Sequence, residues 1–360
     1  MNLTVNIQDQ TDDTDNWRTV AKKHIKANSL RIHFARLFLI LIIVMLHFRM
    51  EPVDTSNAIS SVHEFIRETF LRLPVPLLSI MSGYIFFASG AYETVGKTLS
   101  AKMRSLIIPF LIFNTPLVLA VYVAQFNGMA LDNRIVLVGA GLRQWLEALF
   151  AITEQPVNYP LYFLRDLFVV AMLGLLIGRL HVRFALPTLL TIAIVAYGNL
   201  DGFLIIRDDV LLCFFLGGYL AISQVNISVL DKYGWAISII ILPAICFAFH
   251  FLFPEQRLLF RVAGGLAFWP VIGFMLESNV LRRASAYAKY AFPIYLMHAP
   301  IIFALLIANL GAQASKLGAM WWIIAPLVIA SLIIGFTKLA GQLVPRLAGI
   351  ALGGRIIGRT

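Results

Sequence analysis

Charge is scarce in this chain. Only 13% of its 360 residues are Asp, Glu, Lys or Arg, while 59% are hydrophobic and the mean hydropathy is +0.82. Soluble globular domains are about half apolar and a quarter charged, so this composition excludes one. Cysteine is nearly absent. Cys213 and Cys246 both sit inside apolar runs, where a cysteine packs as a small hydrophobe instead of building a disulfide framework or a metal pair. The histidines are scattered and no HExxH or CxxC spacing occurs, so no metal site is expected. GxSxG, Walker A and dinucleotide fingerprints are missing as well, and no bound cofactor is expected. The net charge of +10 is not a nucleic-acid footprint, because the cations lie between apolar runs and form no single patch. No internal repeat, low-complexity tract or large soluble domain is visible.

What remains is a series of apolar runs. Ten are legible, at 31–50, 70–90, 105–126, 160–179, 184–200, 208–223, 233–253, 258–277, 288–309 and 319–344. Each approaches the ~20 residues that cross a bilayer as a helix, although the fifth and sixth are short. The expected fold is an all-α polytopic membrane protein of about ten transmembrane helices. Most of the 29 lysines and arginines fall in the loops on the same side as the N-terminus. The positive-inside rule then places both termini in the cytoplasm. Residues 1–30 form a polar N-terminal tail without a cleavable signal, acidic at first and then basic, ending in a short amphipathic segment on the membrane surface. Residues 31–345 are the membrane domain, and 346–360 a basic cytoplasmic tail. Within 127–159, GLRQWLEALFAI has helical apolar spacing and reads as a half-embedded interfacial helix.

The first run carries two ionisable groups that an anchor does not need. Arg36 and His47 are eleven residues apart, three helical turns, so they share one face about 16 Å apart along the axis. Ionisable groups inside a membrane default to a functional reading. In the second run, Pro74, Pro76, Ser82 and Gly83 are expected to break or loosen the helix. Lys97, Lys102 and Arg104 border the third run, where they obey the positive-inside rule or hold phosphates. The fourth run opens with Arg165 and Asp166, sequence neighbours that are expected not to pair and to need partners elsewhere. Gly174 and Gly178 have the spacing of a close helix contact. In the ninth run, Pro293 and Pro300 flank Tyr295 and His298. The outward loops carry an excess of arginine, including Arg49, Arg67, Arg72, Arg207, Arg257 and Arg261. Such forks suit a dicarboxylic acyl group, an anionic glycan or anionic lipid.

A basic residue, ten intervening residues and a histidine in the first span resemble the signature of the acyltransferase 3 family. PLLSIMSGYIFF at 76–87, KMRSLIIPFLIFN at 102–114, PLYFLRDLFVV at 160–170 and YAFPIYLMH at 290–298 are similar to family segments in the same order. The chain departs from many members in having Lys102 with Arg104 in place of an arginine pair, and Tyr162 where Trp is common. The WRTVAKKHIKANSLR stretch is similar to the succinyl-transferring members of rhizobial succinoglycan synthesis. The resemblance implies a multi-pass enzyme of the bacterial inner membrane that moves an acyl group from acyl-CoA to a sugar hydroxyl. The acceptor is an exopolysaccharide repeat unit or its lipid-linked precursor. Succinyl-CoA is the first choice of donor and acetyl-CoA the second. His47 is then the general base with Arg36 beside it in the signature, and Lys102 and Arg104 hold the donor. Arg165, Asp166, Tyr295 and His298 position substrate or stabilise the oxyanion. The rival from another class is a polysaccharide or small-molecule flippase. It also shows buried charges and proline-interrupted helices, but usually in two related halves, and none are visible.

Overall fold

The computed structural model describes residues 8–47, 58–129, 135–307 and 319–355. Every regular element among them is helical. The chain begins with α1, Gln8–Ala27, and turns at Asn28 into α2, Ser29–His47. Trp17 and Ala21 bury one face of α1 against the bundle. Arg18 donates to Glu93 and to Tyr92 and pins α1 in place. These two contacts also raise the Arg18 pKa against the opposing effect of desolvation.

Helices α3, Ala58–Glu68, and α4, Pro74–Ala88, are joined by a short 3-10 turn and together make one span. The expected break in α4 does not occur. Pro74 and Pro76 lie in its first turn, where an N–H has no intrahelical acceptor to lose. The Ser82 hydroxyl is absorbed by the Leu78 carbonyl at 2.7 Å. Gly83 serves close packing instead. A Cβ there would stand 1.8 Å from the Phe214 carbonyl oxygen, and one on Gly217 would stand 2.0 Å from that of Ile80. The backbones of α4 and of the helix carrying Gly217 touch through these glycines, which is how helices associate where lipid removes the hydrophobic drive.

Next come α5, Val95–Lys102, a π-helical turn at Met103–Ile107, and α6, Ile108–Phe126. Pro109 lacks an N–H, so the Ser105 carbonyl loses its i+4 donor. The interfacial segment is α7, Leu142–Phe150, nine residues long and too short to span. Its Leu142, Leu146 and Phe150 are exposed, while Ala148 packs on Val118 and Val121 of α6. Two longer stretches follow: α8, Tyr162–Arg183, and α9, Ala185–Tyr197. Gly174 and Gly178 of α8 sit against Phe86 and Tyr92, as their spacing predicts. After α10, Asp208–Ile222, the chain runs through α11, Ser228–Leu252, α12, Arg257–Met275, and α13, Asn279–Ala284. It ends with α14, Ala291–Ile307, α15, Ala319–Leu343, and α16, Pro345–Ala351.

Seven stretches among the described residues are long and apolar enough to cross a membrane. Two of the ten runs correspond instead to shorter helices, α9 with 13 residues and α10 with 15, and α14 is described over 17 residues up to Ile307. Helix α10 is buried nearly all round, with Phe214 and Phe215 fully covered. It crosses α4 at the centre of the bundle, beside α2, which packs on α4, α14 and α15. Both cysteines are free and buried, as packing residues should be.

Candidate active site

The last residue of α2 sets the site. The His47 Nδ1 lies 3.0 Å from the Ile43 carbonyl oxygen. A carbonyl only accepts, so Nδ1 is the protonated nitrogen and Nε2 keeps its lone pair. A cavity of about 320 Å³ opens in front of it. Its apolar wall includes Ile43, Leu46, Leu71, Val75 and Phe163, and its polar wall Arg67, Arg72, Tyr159, Tyr162 and Arg207. The Tyr159 ring is 5.9 Å from the His47 ring. A larger apolar cleft of about 530 Å³ lies between α1, α4, α10 and α12, with His24 and the Tyr84 hydroxyl on its wall.

His298 joins His47, their ring centroids 5.2 Å apart and nearly perpendicular. Its Nδ1 donates to the Tyr295 carbonyl at 2.7 Å, with the Ile294 carbonyl at 3.2 Å. That leaves the buried His298 Nε2 as an acceptor without a partner among the described residues, one ring away from the cavity that His47 lines. Buried polar groups are nearly always satisfied, so this nitrogen stands out. The Tyr295 hydroxyl is already committed, since it donates to the Pro160 carbonyl. It steadies the Tyr159–Leu161 turn that lines the cavity. Asn114 of α6 holds the approach to the same turn: its Oδ1 accepts the Asn158 N–H at 2.9 Å, and its Nδ2 donates to Ala148 at the end of α7.

Arg165 and Asp166 stand behind this wall. Contrary to expectation they do pair, Nη1 to Oδ1 at 2.9 Å. They lie in the first turn of α8, where the long arginine side chain curls past the helix end toward its neighbour. The rest of the Arg165 fork donates to the carbonyls of Ala151, Ile152, Phe203 and Leu204. Asp166 accepts the N–H groups of Ile206 and Arg207 at 3.1 and 3.0 Å. The pair therefore clamps two loops, and the second delivers Arg207 to the cavity. The sequence names Arg207 only as one of several outward-loop arginines and gives no sign that it meets His47 at one cavity.

At the other end of α2 is a second constellation. Arg36, Ile40, Ile43 and His47 form one stripe; Ile40 and Ile43 are buried, whereas Arg36 is exposed. Lys102 lies 5.7 Å from the Phe86 ring, and Arg104 is exposed on the π-helical turn. Arg355 adds a further cation. It lies 3.6 Å from the centroid of the Phe292 ring, and its Nη1 donates at 3.4 Å to the Ser105 carbonyl freed by Pro109. Desolvation against the bundle, and second the nearby Arg36, push the Arg355 pKa down to about 10. None of these four cations has a carboxylate partner among the described residues. No cluster of potential metal ligands occurs there either.

Comparison with known families places most of the chain, independently of this site. The acyltransferase 3 profile, an acyltransferase domain, matches residues 30–339. The chain belongs to this family. It is a membrane acyltransferase, and the matched segment runs from α2 into α15, so α1 and Arg355 lie outside it. The acyltransferase is also similar to the succinoglycan biosynthesis protein ExoH of Rhizobium meliloti (strain 1021). The two are 28% identical over 345 residues, covering 91% of this chain and 92% of the relative. No solved structure matches the acyltransferase.

Proposed function

We propose that this acyltransferase moves an acyl group, succinyl by preference and acetyl second, from acyl-CoA to a sugar hydroxyl of an exopolysaccharide or its lipid-linked precursor. The observation that carries the reading is His47, whose Nδ1 is held by Ile43 and whose Nε2 is free at the cavity. Nε2 takes the proton of the sugar hydroxyl as its oxygen attacks the thioester carbon. The tetrahedral intermediate collapses, the carbon–sulfur bond breaks, and the imidazolium returns its proton to the departing thiolate, giving the ester and free CoA. A positioned base of this kind contributes roughly 10²–10⁴-fold. Arg67 and Arg72 supply positive potential at the cavity wall where the oxyanion develops. His298, with its own free Nε2, stands ready to share a proton through the acceptor hydroxyl or a water.

At the far end of α2, Arg36, Lys102, Arg104 and Arg355 form the site for the CoA phosphates. Guanidinium forks and an ammonium without carboxylate partners suit them. In this reading the protein sits in the inner membrane of a bacterium with both termini in the cytoplasm, and donor and acceptor meet near His47 from opposite ends. The exopolysaccharide and the succinyl preference draw support from the name of the Rhizobium meliloti relative and from the arginines in the cavity wall.

The test is mass spectrometry of the exported polysaccharide from cells with the intact gene, with His47→Ala and with the gene deleted, at matched protein levels in the membrane. Loss of a succinyl mass increment in both altered strains is the expected result. Loss of an acetyl increment keeps the mechanism and replaces the donor. Unaltered acylation with polysaccharide missing from the surface overturns the reading in favour of a flippase.

A further inference from the structure

We propose that the Arg207 guanidinium is a carboxylate-reading subsite of the acyl-transfer cavity, held there by a buried cluster with two cations and one anion. This rests on the acyl-transfer reading above and names the group by which the enzyme selects its reactant. The anion is Asp209, which is fully buried. Its Oδ1 accepts from Arg207 Nε at 3.0 Å and from Arg261 Nη1 at 2.9 Å, and its Oδ2 from Arg207 Nη2 at 3.4 Å. Two partly buried guanidiniums thus share one fully buried carboxylate; Asp208, next in sequence, feels the Arg207 charge without a hydrogen bond to it among the described residues, so the positive charge at the cavity wall is incompletely matched. An uncompensated charge away from bulk water is costly, and the cost is relieved by an anion that arrives with a reactant.

Arg207 is the member of the cluster that faces the cavity. Its Nη1 has no protein acceptor among the described residues, since only Nε and Nη2 are engaged. The fork is preorganised. The Arg207 backbone N–H is held by Asp166, and its guanidinium lies 5.5 Å from the Tyr162 ring. The other two arginines of the wall also keep unengaged nitrogens, but their charge is matched: Arg67 and Arg72 face two carboxylates, Glu64 and Glu68, whereas Arg207 shares the single carboxylate of Asp209 with Arg261. A carboxylate placed on Nη1 shares the cavity with His47 Nε2, so it belongs to a molecule that reacts there. Two sources carry that chemistry: the distal carboxylate of a dicarboxylic acyl group, and an acidic group on the acceptor glycan.

The experiment uses the full chain in detergent with three donors: succinyl-CoA, its neutral methyl ester and acetyl-CoA. Each is offered the native acceptor glycan and the same glycan with its carboxyl groups reduced to alcohols. The wild type, Arg207→Gln and Arg207→Lys are compared. If the donor carries the carboxylate, the wild type prefers succinyl-CoA over the methyl ester by roughly ten- to a hundredfold, the range of a charge-assisted hydrogen bond. Arg207→Gln then abolishes that preference, mainly through KM, and Arg207→Lys keeps part of it. If the acceptor carries it, the same pattern separates native from reduced glycan and is blind to the donor. Equal loss with every donor and acceptor in Arg207→Gln overturns the proposal. So does a wild type that discriminates neither donor charge nor acceptor charge, a result that stands even when the variants fail to accumulate. A wild type that transfers no acyl group at all fails the acyl-transfer reading itself, which is a different outcome.

Discussion

At the scale of single residues, the site is an argument about which nitrogen carries a proton. The Ile43 carbonyl fixes the His47 tautomer, and the Tyr295 carbonyl fixes that of His298. Both rings then present an unprotonated Nε2 toward one region. His47→Ala is expected to lower acyl transfer by roughly 10²–10⁴-fold with the protein still present in the membrane, measured as ester formed per enzyme. The rate should also fall once the pH is low enough to protonate Nε2, because a protonated Nε2 takes no proton from the acceptor. An unchanged acid limb in His47→Ala would show that another group is the base. Tyr295 belongs to a different class. Its hydroxyl is spent on Pro160, so Tyr295→Phe should lower thermal stability by about 1–3 kcal/mol through the stranded carbonyl. Acylation should suffer far less than in His47→Ala.

The elements are held by a few polar clamps and by bare backbone contact. The Arg165 fork ties the start of α8 to two loops through four carbonyl groups. Removing a buried charge that satisfies several acceptors costs about 3–5 kcal/mol. Arg165→Ala should therefore lower the melting temperature of the purified protein and loosen the loop that presents Arg207. Normal stability in that variant would contradict the clamp. The crossing of α4 and α10 leaves no room for a side chain at Gly83 or Gly217. A Gly217→Val chain should fail to accumulate, while Gly335→Ala on α15, where a Cβ meets open space, should be tolerated. Membrane abundance of the two variants checks the contrast. On the opposite end, Arg31 is buried under Trp269, 4.0 Å from its ring centroid, and pairs with Asp231 at 2.8 Å. Asp231 is itself partly open to solvent, so its loss is worth less than that of a fully enclosed partner.

For the whole molecule, the arrangement places Arg36 and the cations around it toward one end of α2 and His47 at the other. Topology is the property that tests it. Both native cysteines are buried, so single cysteines introduced at exposed Lys97 and exposed Leu200 can be read without interference. A membrane-impermeant thiol reagent added to intact spheroplasts should label Leu200→Cys and spare Lys97→Cys. The reverse would put the His47 end in the cytoplasm and overturn the assignment of the termini.

Membrane residence, a helical fold and the Arg36–His47 pairing were legible in the residues themselves. Hydropathy and the 3.6-residue period are local properties, and one helix carries both groups wherever it packs. Family resemblance was legible for the same reason, since its motifs are short and contiguous. The expectation that proline breaks α4 was wrong because tolerance depends on the turn in which the proline falls, and the helix start was not marked by charge or composition. Arg165 and Asp166 were visible as an anomaly, but their role as a clamp was not, because their partners are backbone carbonyls and amides of distant loops. The meeting of His47 with His298, the placing of Arg207 in the cavity wall beside His47, and the arrival of Arg355 beside Ser105 were decided by tertiary structure alone. Each depends on contacts between segments tens to hundreds of residues apart, and in a membrane those contacts are selected by side-chain fit and hydrogen bonding, which no linear pattern records.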